Sequence, residues 1–180
     1  FHKHVLNLEW FTPTFWKFVL MSSVKLGVIK PLVSNSAELS IIPFDEKFIM
    51  GGNGIPYGNM LRGYPDNSIG PQTTSGRPIG GSAMMKFSSE FRFPVSENPV
   101  VYALLFAELG NVWDSMNMSI PLELERSGPF SFNRSAGVGF RFFMPMLGML
   151  GFDMGYGFDD ITGIGKPQGW IYTITFGQPF

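Results

Sequence analysis

Leu150-Gly151-Phe152-Asp153-Met154-Gly155-Tyr156-Gly157-Phe158 alternates large apolar residues with glycine and one aspartate along its whole length. Side chains on a β-strand point to opposite faces with a period of two, so this stretch predicts a strand with one oily face and one small, polar face. The same period recurs. Over 84–93, Met85, Phe87, Ser89, Phe91 and Phe93 lie opposite Met84, Lys86, Ser88, Glu90 and Arg92. Over 132–144, Ala136, Val138, Phe140, Phe142 and Met144 oppose Asn133, Ser135, Gly137, Gly139 and Arg141. Near the end, Trp170, Tyr172, Ile174, Phe176 and Phe180 oppose Thr173, Thr175 and Gly177. A soluble sandwich also alternates, but its strands usually have about 5 or 6 residues, and these runs reach about 10 to 15. Here, too, the apolar faces are rich in Phe, and Gly, Ser and Thr fill the polar ones.

Seven strands are predicted, at about 3–12, 15–29, 79–94, 100–113, 131–144, 148–159 and 169–178. Their connections alternate short and long: around Pro13, then about 30–78, 96–99, 114–130, 145–147 and 160–168. Transmembrane β-barrels have this rhythm, with tight periplasmic turns and long extracellular loops. Composition agrees. Of 180 residues only 15% are charged, against about 25% in soluble domains, while 19 are Phe and 22 are Gly. The absence of Cys excludes disulfides, thiol catalysis and Cys-ligated metals. A net charge of −1 argues against nucleic acid as a partner. No run approaches the roughly 20 apolar residues of a spanning helix.

The expected fold is therefore all-β: a transmembrane antiparallel barrel to which residues 1–180 contribute about seven strands of one domain. The alternation puts Phe180 at the periplasmic side and Phe1 at the outer face of a bacterial outer membrane. Complete single-chain barrels have an even strand number, and an open sheet would leave backbone groups unpaired in lipid. The chain, which opens without Met, is thus expected to be the C-terminal portion of a larger barrel of 16 strands, beginning in an extracellular loop. The remaining strands come from sequence beyond it, and no soluble periplasmic repeat domain is expected within it.

The longest connection holds the most specific residues. Phe48-Ile49-Met50-Gly51-Gly52 is followed by Leu61-Arg62-Gly63-Tyr64, Ile69-Gly70-Pro71 and Gly80-Gly81. This order resembles the sixth extracellular loop of the BamA superfamily of outer-membrane assembly factors, which includes two-partner secretion transporters and carries an aliphatic-Arg-Gly-aromatic motif there. The resemblance continues through Ser89-Glu90-Phe91 and Pro94, through the run from Phe106 and Glu108 to Trp113, through Ser135-Ala136-Gly137-Val138-Gly139-Phe140-Arg141 with Met144-Pro145-Met146, and to the terminal Phe180. It covers about 48–180; residues 1–47 match only in strand pattern. The family often has Asp where Glu108 stands. Pro179 lacks an N–H for the ladder of the last strand.

The resemblance implies that Arg62 folds inward and meets Glu90 and Glu108 on the next two strands. An arginine in a barrel lumen is costly unless its donors find acceptors, so charge-assisted bonds to acids are the expected solution. Gly63 would let the backbone turn against the wall, and Tyr64 would pack into it.

Other candidates are weaker. His2 and His4 share a strand face, but a pair without a nearby acid does not make a metal site, and no metal or cofactor is expected. Gly51-Gly52-Asn53-Gly54 and Gly163-Ile164-Gly165-Lys166 lack the spacing and following helix of phosphate loops and are read as turns. Asp159-Asp160 is read as the start of a surface loop. Trp10, Trp16, Trp113 and Trp170 fall near strand ends, as interfacial anchors do. Glu90 and Glu108 beside an arginine would both stay ionised, the wrong state for a general acid, so an enzyme is not expected.

The resemblance implies a factor that folds and inserts client barrel proteins, with outer-membrane lipids, unfolded β-barrel clients and accessory lipoproteins as partners. The seam between first and last strands would be weak where Gly177, Pro179 and Phe180 end the chain. The alternatives are a secretion transporter of the same superfamily, a passive porin, and a barrel segment acting only as a scaffold.

Overall fold

A computed structural model describes residues 1–32, 42–55, 58–73, 75–114, 131–145, 148–161 and 163–176. The seven expected strands form: β1 His2–Pro13, β2 Val19–Lys30, β3 Ala83–Glu97, β4 Val100–Trp113, β5 Asn133–Met144, β6 Gly148–Gly157 and β7 Gly169–Phe176. They make one sheet in chain order, each strand antiparallel to the next. The polar face is small enough to lie against another layer, while the large apolar residues stand on the other side. One slip in register would exchange the two faces, so the pattern holds every pair in place. The single register shift within the paired strands falls at Pro94 to Ser96, where a proline cannot donate to the ladder.

Strand ends differ most from expectation at the starts of the second and third strands. The second strand begins at Val19 rather than at 15. Thr14 and Phe18 close a turn in which Trp16 takes a left-handed φ of 58°. The third begins at Ala83 rather than at 79. Before it, Ile29 donates to the Ser82 carbonyl and Ser82 to that of Trp113.

The described parts of the β2–β3 connection lie across one face of the sheet. Antiparallel bridges link Phe48 to Gly81, Met50 to Ile69 and Gly52 to Leu61, so the segment carries its own backbone pairing. Its apolar residues, Phe48, Met50, Leu61, Tyr64 and Ile69, pack on Ile29, Met84 and Val112 of the wall and form the buried core. The core thus lies between loop and sheet. The opposite face carries exposed Leu105, Val138, Phe140, Phe152, Trp170, Tyr172, Ile174 and Phe176. Among the described residues no helix is long and apolar enough to cross a membrane.

Candidate functional site

Arg62 reaches the sheet at the foot of the loop and is 1% exposed. Its Nη2 donates to Glu90 Oε1 at 2.8 Å and to Glu108 Oε1 at 2.7 Å. Its Nη1 points at Asp153 Oδ1, 3.4 Å away, and its backbone N–H donates to Glu108 Oε2 at 2.9 Å. The guanidinium stacks 3.8 Å above the centre of the Phe106 ring. Three strands therefore converge on one side chain: Glu90 from β3, Phe106 and Glu108 from β4, Asp153 from β6. Period-two parity is the reason, because all four residues fall on the covered face.

Each acid also has a cation of its own on the wall. Arg92 donates to Glu90 Oε2 through Nε and Nη2, at 3.0 and 2.8 Å. Lys86 stands 3.1 Å from Glu108 Oε1, and Ser88 donates to the same oxygen at 2.8 Å. Arg141 grips Asp153 with two bonds of 2.9 Å. The three acids are thus matched by three wall cations before Arg62 arrives. Burying a charge is tolerable only when it is paired, and here pairing survives without the loop.

Gly63 follows with a positive φ of 84°. Its backbone presses on β6 so closely that a Cβ placed at Gly155 would sit 2.7 Å from Gly63 N, and one at Gly157 would sit 2.4 Å from Gly63 O. The glycines of the alternating stretch leave room for the loop. Gly139 and Gly151 do the same for the ion pair beside it: added Cβ atoms there would strike Asp153 Oδ1 at 2.1 Å and Arg141 Cζ at 2.9 Å.

Tyr64 is fully buried. Its hydroxyl donates to the Arg134 carbonyl at 2.6 Å, accepts from the Asp159 N–H at 3.3 Å, and lies 3.2 Å from Asp159 Oδ2. Asp159 in turn accepts from the Arg134 backbone N–H at 2.6 Å and from its Nη2 at 2.8 Å. Burial works against the charge on Asp159, but these bonds from Arg134 outweigh it and hold the carboxyl below its usual range. Leu61 is fully buried in the core.

The loop motif and both glutamates named from the sequence are therefore brought together. Sequence reasoning missed Asp153, Arg141, Lys86 and Arg92, and with them Asp159, which anchors Tyr64 as well as opening a loop. Parity could have found the first four, since each sits on the small, polar face of its strand. Gly177, Pro179 and Phe180 lie outside the described residues. His2 and His4 meet edge to face with ring centres 5.4 Å apart on β1, and among the described residues no group of three His, Cys, Asp or Glu could hold a metal. Gly163 and Gly165 donate their N–H groups to Asp160.

Comparison with known proteins places this geometry in context. The Omp85 superfamily domain matches residues 1–177. No curated protein matches the chain. Among solved structures, the crystal structure of BamA from Haemophilus ducreyi lacking POTRA domains 1–3 is similar, with a TM-score of 0.69 and 21% identity, over 96% of this chain and 35% of that one. The chain spans about a third of that relative's length. The likeness shows the fold: the seven antiparallel strands correspond to a stretch of a barrel wall.

Proposed function

The chain belongs to the Omp85 superfamily, and on that premise we propose that it is the C-terminal barrel portion of a factor that inserts client β-barrels into the outer membrane. Residues 1–180 form one piece of that barrel, with the long connections extracellular and the C-terminus at the periplasmic side. The described parts of the segment between β2 and β3 fold into the lumen, and Arg62 latches them there. Outer-membrane lipids, unfolded barrel clients and accessory lipoproteins are the partners of this reading. Soluble repeat domains lie elsewhere in the protein.

The observation that carries the proposal is the double pairing of Glu90, Glu108 and Asp153. An arginine held by acids that are already neutralised can leave without stranding a buried carboxylate, so the latch is tight when closed and releasable when the wall must deform. A plug meant only to narrow a pore has no need of such provision, which disfavours the passive porin.

Insertion itself needs an exposed strand edge. In lipid every backbone donor and acceptor must be satisfied, and an opened edge supplies partners to an incoming strand by β-augmentation. The sequence at the C-terminus suits this role, since glycine at 177 has no side chain and proline at 179 has no N–H to donate. The decisive experiment uses the full-length protein in proteoliposomes. Cysteines are introduced across the junction of the last and first strands and oxidised, and folding of an added client barrel is followed by its heat-modifiable mobility. Client folding should stop on oxidation and return on reduction. Unchanged client folding with the junction verifiably locked would overturn the seam mechanism.

A further inference from the structure

The lipid face of the wall is interrupted. Cross-strand pairing sets Ser22, Ser89, Ala107 and Ala136 in one row across β2 to β5, closed by Trp10 on β1 and Tyr156 on β6. The next row on one side carries Val24, Phe87, Leu109 and Arg134, and the next on the other Leu20, Phe91, Leu105 and Val138. An open cavity of about 630 Å³ lies over the row of small residues and is bounded on one side by Val24, Phe87, Leu109 and Arg134. Four small side chains span three inter-strand spacings of about 4.8 Å, a trough about 14 Å long.

Its course is oblique. β2 and β5 run in opposite directions, with β3 and β4 between them; Ser22 lies three residues from the start of β2 and Ala136 three residues from the start of β5, so the row nears one rim at β2 and the other rim at β5. With strands tilted by about 35–45°, a row perpendicular to them descends through the bilayer as it crosses the wall. The upper end is marked by a charge. Arg134 is the second residue of β5, and its side chain is 65% exposed. Nε and Nη2 face Asp159, while among the described residues Nη1 has no hydrogen-bond partner. A guanidinium keeps its charge and offers paired donors that fit a phosphate.

An empty trough in a wall facing hydrocarbon forfeits dispersion contacts along its whole lining. We propose that it seats one acyl chain of an outer-leaflet lipid, with the phosphate of that lipid's headgroup on Arg134. The occupant is hydrocarbon because the trough opens into the bilayer. It is anionic at one end because the uncommitted donors of Arg134 stand there. The assignment rests on the orientation proposed above, which puts the start of β5 at the outer surface.

The test takes the full-length protein from outer membranes in mild detergent and counts retained lipid by native mass spectrometry. Wild type should carry one phosphorylated lipid per chain. Ala107→Phe, which fills the trough, should lower occupancy at least tenfold, and Arg134→Gln should lower it several-fold while removing any preference for phosphorylated over dephosphorylated lipid. If Ala107→Phe does not fold, Ser89→Leu serves in its place. Wild type without retained lipid, a filled variant that keeps wild-type occupancy, or a second copy of the protein seated on this face would each overturn the proposal. Client insertion is not the readout, so a failed lipid site leaves the assembly reading standing, and a failed seam mechanism leaves the lipid count intact.

Discussion

The two faces of β5 and β6 use small residues for opposite purposes. On the lumen side Gly155 and Gly157 let another piece of the same chain approach to backbone contact, and Gly139 and Gly151 make space for a buried ion pair. On the lipid side Ala136 belongs to a row that no part of the described chain fills. In both places a missing side chain marks where something other than the sheet supplies the packing. The lumen face adds charge to this and gains specificity; the lipid face relies on shape and one arginine at its end.

Charge is where that contrast breaks most readily. Glu108→Lys would set a new cation beside Arg62 and Lys86 and remove the acceptor of the Arg62 backbone N–H. A loss of about 3–5 kcal/mol is expected, the usual cost of stranding a buried charge, and denaturant unfolding in detergent should show it. Arg62→Ala should cost less, about 2 kcal/mol, because charge-assisted bonds are lost but every acid keeps a wall cation. The barrel should still fold, with hydrogen exchange rising selectively in the loop. An equal global loss from both substitutions would refute a releasable latch.

Smaller effects sharpen the comparison. Gly155→Ala should push Gly63 away and cost about 1–2 kcal/mol as overpacking, with protease cleavage near Arg62 as the readout. Ala136→Gly, on the lipid side of the neighbouring strand, should leave that cleavage unchanged. The mildest test is pH. The carboxyl of Asp159 is held below its unfolded value of about 3.9, so the stability it lends is complete above that value and fades as pH falls through the folded value. The protection of amides around Tyr64, taken relative to their intrinsic exchange rates at each pH, should therefore fall in acid and stay flat from about pH 5 to 8, and Asp159→Asn should remove the acid dependence.

Much of this was legible along the chain. Seven strands, their order and their faces followed from period two, because pleating assigns alternate residues to opposite sides whatever lies beyond. Leu61, Arg62, Gly63, Tyr64, Glu90 and Glu108 were named through resemblance, and the last two faced the lumen by the same parity. Asp153 was less visible. It lies 91 positions from Arg62, and nothing local in Phe152-Asp153-Met154 says which residue the carboxylate meets. Strand ends shifted at Val19 and Ala83 because turn and loop hydrogen bonds, rather than side-chain alternation, decide where a ladder starts.

The amino-acid sequence by itself determined the wall: which residues are strands, which faces are oily, and which loop carries the arginine. Only the tertiary structure decided the company Arg62 keeps, with three acids and a cation already beside each. Alternation is a property of the backbone, repeated at every residue and readable one strand at a time. A charge cluster depends on how several strands register against one another and on where a long loop comes to rest, and those distances exist only once the sheet has formed.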